Sequence, residues 1–157
     1  MSEPQIYVDA DACPVKDEAV RVAMRHRLTI TLVANQGSRP TRDPMIRYVY
    51  VPYGPDAADD WIVEQVNAND IVITSDIPLA SRALDLGAQV LGPGGKRFTR
   101  EGIGMALAMR ELKQQLRETG EIRDNHPEFS ARDRSQFLSA LDEAVTRAKR
   151  QAQQTNA

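Results

Sequence analysis

The chain has 157 residues, 41% hydrophobic and 27% charged, with a formal net charge of −2. This is the composition of one ordinary globular domain with its own core, and so small a net charge excludes indiscriminate electrostatic binding of nucleic acid. Cys13 is the sole cysteine, no apolar run nears the ~20 residues of a membrane span, and Met-Ser-Glu-Pro-Gln lacks a signal-peptide pattern, so a cytoplasmic protein without disulfide or membrane partner is expected.

Ile6 to Asp9 predicts a first strand. Pro14 to about His26 predicts a helix, with Val15, Ala19, Val22 and Ala23 on one stripe. Thr29 to Ala34 is β-branched and strand-like, and 35–44 is loop material with Gly37, Pro40 and Pro44. Arg47 to Val51 predicts a short strand. Gly54-Pro55-Asp56 opens a helix to about Asn67. Ile71 to Thr74 is a continuous apolar run, as in strands buried on both faces of a parallel sheet. Ile77 to Leu86 predicts a helix stopped by Gly87, which is free to turn left-handed. Gln89 to Leu91 is the last expected strand. Gly92-Pro93-Gly94-Gly95 then turns the chain, and Thr99 caps a helix reaching Glu118.

The β-α-β alternation predicts an α/β fold: a three-layer parallel sheet of about five strands, helices on both faces, plus an extra C-terminal helix. The expected division is 1–118 for the α/β domain and 119–157 for a linker and that helix. Ser130 and Asp133 have capping-box spacing, and Phe137, Leu138, Leu141, Ala144, Val145 and Ala148 form one apolar stripe. The stripe packs on the domain or on a partner, which leaves room for a homo-oligomer. Gln151 to Ala157 is expected to fray.

Asp9 and Asp11 end the first strand, two residues apart and therefore on one side of an extended backbone. Two such charges repel unless a cation or a proton joins them. Asp76 ends the strand Ile71-Val72-Ile73-Thr74, and Asp56, Asp59 and Asp60 lie in the first turns of the middle helix. Ligands of open parallel sheets sit outside the carboxyl ends of the strands. Carboxylates from three segments thus converge on the edge where Mg²⁺ or Mn²⁺ would meet a phosphate. Each also has a plainer explanation. Asp11 and Asp76 could be helix N-caps, and Asp56, Asp59 and Asp60 could offset a helix dipole. Asp9 has no such alternative.

Basic residues cluster at Arg39, Arg42 and Arg47, and again at Lys96, Arg97 and Arg100. His26 and His126 lack ligand or triad spacing and read as structural. Cys13 reads as a small buried residue, since a phosphatase loop needs Arg at position 19, which is Ala. Gly92 to Lys96 is a tight turn first and a phosphate contact second, because it lacks the Walker pattern.

Val8-Asp9-Ala10-Asp11-Ala12-Cys13-Pro14, Leu32-Val33-Ala34-Asn35-Gln36, Asp56-Ala57-Ala58-Asp59, Ile73-Thr74-Ser75-Asp76-Ile77-Pro78-Leu79-Ala80 and Arg132-Asp133-Arg134 together resemble the YaiI/YqxD family of small bacterial proteins. The matching blocks run from residue 6 to about 140. That family is grouped with PIN-like and NYN-type domains, which are metal-dependent nucleases. The resemblance implies that Asp9, Asp59 and Asp76 hold Mg²⁺ or Mn²⁺, with Asp60 as an extra ligand and Asp11 as catalytic support. RNA is the implied partner, its backbone met by Arg39, Arg42, Lys96 and Arg97, with Asn35 and Ser75 as further polar contacts. The chain departs from the NYN pattern in carrying one acid after the fourth strand, where two around a glycine are frequent.

Two other readings stay open. Haloacid-dehalogenase-type phosphatases also start with Asp-x-Asp after a strand, with a nucleophile at Asp9 and an acid/base at Asp11. Against them, position 80 is Ala instead of an acid, position 13 is Cys, and no insertion forms a cap. The other is a non-catalytic RNA-binding or assembly module that keeps the acids as a structural metal site.

Overall fold

Ile6, Val8, Ile30, Leu32, Ile71, Ile73 and Leu91 turn toward one side of a twisted sheet, and Tyr7, Val33, Val72 and Val90 toward the other. This is the period-two alternation of strands buried on both faces. The computed structural model describes residues 3–11, 13–35, 43–52, 54–120 and 129–155. Its strands are β1 (Ile6–Asp9), β2 (Ile30–Ala34), β3 (Ile46–Tyr50), β4 (Ile71–Ile73), β5 (Gln89–Leu91) and β6 (Arg97–Phe98). Its helices are α1 (Lys16–His26), α2 (Pro55–Gln65), α3 (Ile77–Asp85), α4 (Arg100–Glu118) and α5 (Ala131–Thr155).

The sheet order is β3-β2-β1-β4-β5-β6. β1 to β5 are parallel, with Ile6 opposite both Ile30 and Ile71, and β6 runs antiparallel to β5. From β1 the chain winds outward to β3, then returns to β1's other side and winds the opposite way. The direction therefore reverses between β1 and β4, where such folds open a crevice at the strand ends.

One face is covered by α1 and α5, which contribute Ala19, Val22 and Ala23 and then Phe137, Leu141, Ala144, Val145 and Ala148. The other is covered by α2 and α3 through Ala58, Ile62, Leu79, Ala80, Ala83 and Leu84. The three layers match the expected class, and α5 packs on the domain. Its start is fixed twice. Ser130 and Asp133 form the capping box, with Asp133 N donating to Ser130 Oγ at 3.1 Å and Ser130 N to Asp133 Oδ2 at 2.9 Å. Arg134 Nη1 donates to Pro14 O at 2.7 Å and to Glu18 Oε1 at 3.0 Å, tying α5 to the start of α1.

Two expectations need correction. The sheet has six strands rather than five, because the glycine-rich turn closes a hairpin before α4 begins. Gly92 N donates to Lys96 O at 2.8 Å, and the two residues of β6 are too few to show any period in the sequence. Residues from Gln151 to Thr155 continue α5 instead of fraying. Gln and Ala are good helix formers, and an established helix propagates through them with little burial.

The turn also fixes the seat of α5. Gly95 has φ +89, and a Cβ there would lie 2.8 Å from Gln136 O and 2.9 Å from its carbonyl carbon. Neither the left-handed backbone nor the helix backbone can give way cheaply. Gly95→Ala is expected to lower unfolding free energy by about 2–4 kcal/mol in urea titration. A loss below half a kcal/mol would show that the turn relaxes freely.

α4 is the least embedded helix, with no fully buried residue and with Met105, Met109 and Leu112 exposed. No helix among the described residues is long and apolar enough to cross a membrane.

Candidate functional site

Asp9 is the last residue of β1 and, by alternation, shares the face of Tyr7, which α2 and α3 cover. It is half-buried beneath the crevice. Thr74, buried at the end of β4, donates its hydroxyl to Asp9 Oδ2 at 2.9 Å and accepts from Asp76 N at 3.0 Å. One hydroxyl thus joins the carboxylate of β1 to the backbone of the β4–α3 turn. Asp76 is the N-cap of α3, its Oδ1 accepting from Leu79 N at 3.0 Å. The cap and the site are compatible, because capping uses one oxygen and leaves Oδ2 unbonded among the described residues.

Asp59 comes from α2 and is only 9% exposed. Its carboxylate makes no hydrogen bond among the described residues. Burial first, then the charges of Asp76, Asp9 and Asp56, push its carboxyl up to about 7, with Arg82 opposing. Burial likewise raises Asp9; the Thr74 hydroxyl works against that rise, and Asp76 and Asp11 add to it. Asp9 and Asp59 therefore each feel the charge of the other acids at this edge, Asp76 among them, on top of a larger cost of burial.

Asp11 is exposed and is not the N-cap of α1, where Val15 stands without a side-chain bond. The helix starts too far along the chain for Asp11 to reach its amides. Its Oδ2 instead accepts from Asn35 N at 2.8 Å, bracing the β1 loop against the end of β2. Asn35 Oδ1 is buried without a hydrogen-bond partner among the described residues. Asp60 faces solvent and pairs with Arg82 at 2.8 Å. Ser75 is exposed beside Asp76, and Lys96 and Arg97 are exposed on the β5–β6 hairpin. Arg39 and Arg42 lie outside the described residues.

Cys13 is buried, and burial raises its thiol, which keeps it protonated and inert. His26 Nε2 meets Asp142 Oδ1 at 2.6 Å between α1 and α5, a structural contact. Thr74 carries no sign of this role along the chain, although it stands inside the block that carries Asp76. A threonine in an apolar strand is unremarkable until the neighbouring strand supplies a carboxylate.

Among the described residues, no three His, Cys, Asp or Glu side chains stand in ligating geometry around one ion. The carboxylates are near enough to repel, not arranged as a closed cage. Their chemistry nonetheless suits a hard divalent cation. Asp9 and Asp76 each keep one oxygen unbonded, Asp59 keeps both, and Asn35 adds an orphaned oxygen at the same edge. Magnesium retains several waters and needs only one or two carboxylates.

The uncharacterised YaiI/YqxD family model matches residues 7–147. The chain belongs to that family. It is 58% identical over 146 residues to a UPF0178 protein of Parvibaculum lavamentivorans, covering 93% of this chain and 96% of that one. A UPF0178 protein of Mesorhizobium japonicum is 59% identical over 152 residues, covering 97% and 98%. No solved structure matches. The YaiI/YqxD match spans β1 through most of α5, so acids, sheet and C-terminal helix fall within one family unit.

Proposed function

We propose that this YaiI/YqxD protein is a PIN-like, metal-dependent phosphodiester hydrolase acting on RNA. The observation that carries the reading is the gathering of Asp9, Asp59 and Asp76 at the reversal point of the sheet. Acids brought together in a partly buried crevice, where both burial and one another's charge disfavour ionisation, are what a divalent cation would neutralise. Asp9, Asp59 and Asp76 would hold Mg²⁺ or Mn²⁺, with Asp60 reachable only by giving up Arg82.

A bound ion supplies Lewis-acid polarisation of the phosphoryl oxygen and a more acidic water. The chain's own residues do the positioning. Thr74 locks the Asp9 carboxylate and the Asp76 turn into one frame. Asp11, braced by Asn35, orients water at the mouth of the crevice. Lys96 and Arg97, with Arg39 and Arg42 in the segment after β2, meet the RNA backbone, while Asn35 and Ser75 offer polar contacts.

Asp9→Asn keeps the size of the side chain and removes its charge. Cleavage of a fluorescent RNA in Mn²⁺ is expected to fall by about a hundredfold or more, the several kcal/mol that metal positioning contributes. Undiminished cleavage by the variant, or no cleavage by the parent protein, would overturn the reading. A phosphorylated Asp9 after incubation with an aryl phosphate would establish the phosphatase chemistry instead.

A further inference from the structure

Asp133 belongs to the cap of α5, but its neighbour Arg134 reaches out of the helix to the loop between β1 and α1. Nη1 donates to Pro14 O at 2.7 Å and to Glu18 Oε1 at 3.0 Å. The guanidinium lies over the Phe129 ring, 5.2 Å from its centroid. A cation held by a carbonyl, a carboxylate and an aromatic face has little freedom left.

The docking of α5 does not need this contact. Phe137, Leu141, Ala144, Val145 and Ala148 are fully buried, and the capping box closes the helix start. The Arg134 side chain is 42% exposed, and water can satisfy the Pro14 carbonyl in its place. What the arginine adds is a fixed point on the loop that carries Asp11.

That loop is short and has few supports. Ala10 N donates to Val33 O at 2.9 Å, which continues the ladder with β2. Cys13 N donates to Ala10 O at 3.3 Å, closing a turn without tying it to anything else. Asp11 stands exposed between these two residues and reaches Asn35 N. Among the described residues, Arg134 supplies the one side-chain bond to the loop from α5. Ring closure fixes φ at Pro14, so a carbonyl held there limits the torsions left between Asp9 and α1. The loop is thus held between Asn35 at the end of β2 and Arg134 on α5.

We propose that Arg134 is a positioning residue for the acid edge: by holding Pro14 it keeps Asp11 within reach of Asn35 and of water or an ion in the crevice. α5 then completes the site as well as covering the sheet. The hold on the loop is independent of any activity, whereas its effect on an ion rests on the reading of Asp9, Asp59 and Asp76 as a metal site.

The test compares full-length ¹⁵N-labelled variants, each checked for folding by urea titration. The Asn35 backbone amide reports the Asp11 contact, and Asp11→Asn gives its position once the charged partner is gone. Arg134→Gln is expected to move this amide at least half of the way to that position, and Arg134→Lys to restore most of the shift. Leu141→Ala loosens the buried stripe of α5 without touching the loop. It is expected to leave the amide in place despite a larger loss of stability. An amide unmoved in Arg134→Gln, or moved equally by Leu141→Ala, would overturn the proposal. If Arg134→Gln does not fold, Phe129→Ala takes the ring from under the guanidinium and is judged by the same shift. Mn²⁺ affinity, read by electron paramagnetic resonance, separates the loop from the ion. It should fall about threefold in Arg134→Gln, less than the roughly 10–100-fold lost with a residue bonded directly to a ligand. No Mn²⁺ binding by the parent protein would sink the metal reading and leave the amide shift to decide on Arg134. Mn²⁺ bound equally well by the parent protein and Arg134→Gln would overturn the effect on the ion.

Discussion

Asp59→Asn should make the protein more stable at pH 8 and inactive at any pH. In the folded chain the Asp59 carboxyl is pushed up to about 7, first by burial and then by Asp76, Asp9 and Asp56. In the unfolded chain it titrates near the ordinary value of 3.8. Between those two values the folded state holds a proton that the unfolded state releases. Stability therefore falls as pH rises through that interval, and the loss is complete above about 7. Asparagine is neutral throughout, so it removes the penalty. With allowance for the solvent that reaches the crevice, the gain is about 1–2 kcal/mol at pH 8 and vanishes near pH 4.

The measurement is urea unfolding of both proteins in EDTA across that pH range. Adding Mn²⁺ should reverse the order, raising the melting temperature of the parent protein and leaving the variant behind. A group that destabilises the fold yet is needed for activity is the signature of a working site. An Asp59→Asn protein less stable than the parent at pH 8 in EDTA would show that the acid is structural.

Phe137→Ala carries the largest expected loss of stability. Phe137 is fully buried on α5 and belongs to the core beneath β1, β2 and β4, with Leu141, Ala144, Val145 and Ala148 following on the same stripe. Removing a buried phenyl forfeits its transfer free energy and leaves a cavity, together about 3–5 kcal/mol. The Gly95 turn packs closely against the backbone of Gln136 and Phe137 on the hairpin side. Gln136→Ala, one residue earlier and exposed, should change stability by less than about 0.5 kcal/mol. Urea titration separates the two; equal effects would mean that α5 is only loosely docked.

That result bears on the division of the chain. The segment beyond residue 118 reads in the sequence as a linker and a helix that packs on the domain or on a partner, because a polar stretch separates it from the alternating strands and helices. In the structure its apolar stripe closes one face of the sheet with α1. Sequence distance says little here, since the face left open by the β-α-β windings must be covered by whatever apolar helix remains.

The strands that alternate or run fully apolar, the helices with caps at Thr99, Ser130 and Asp76, and the acids at the strand ends are all legible along the chain. These are local properties, set by backbone period and by side chains reaching three or four residues along the chain. Which acids come together depends on the fold. Asp9 and Asp59 are fifty residues apart in the chain, and their coupling exists because the sheet reverses between β1 and β4. The fold also decides what Asp11 does: the loop after β1 binds it to Asn35 rather than to α1. The Thr74 bridge, the two-residue β6 and the Arg134 contact with Pro14 left no mark that could be read along the chain. Each depends on one partner from a distant segment, and a single contact has no period.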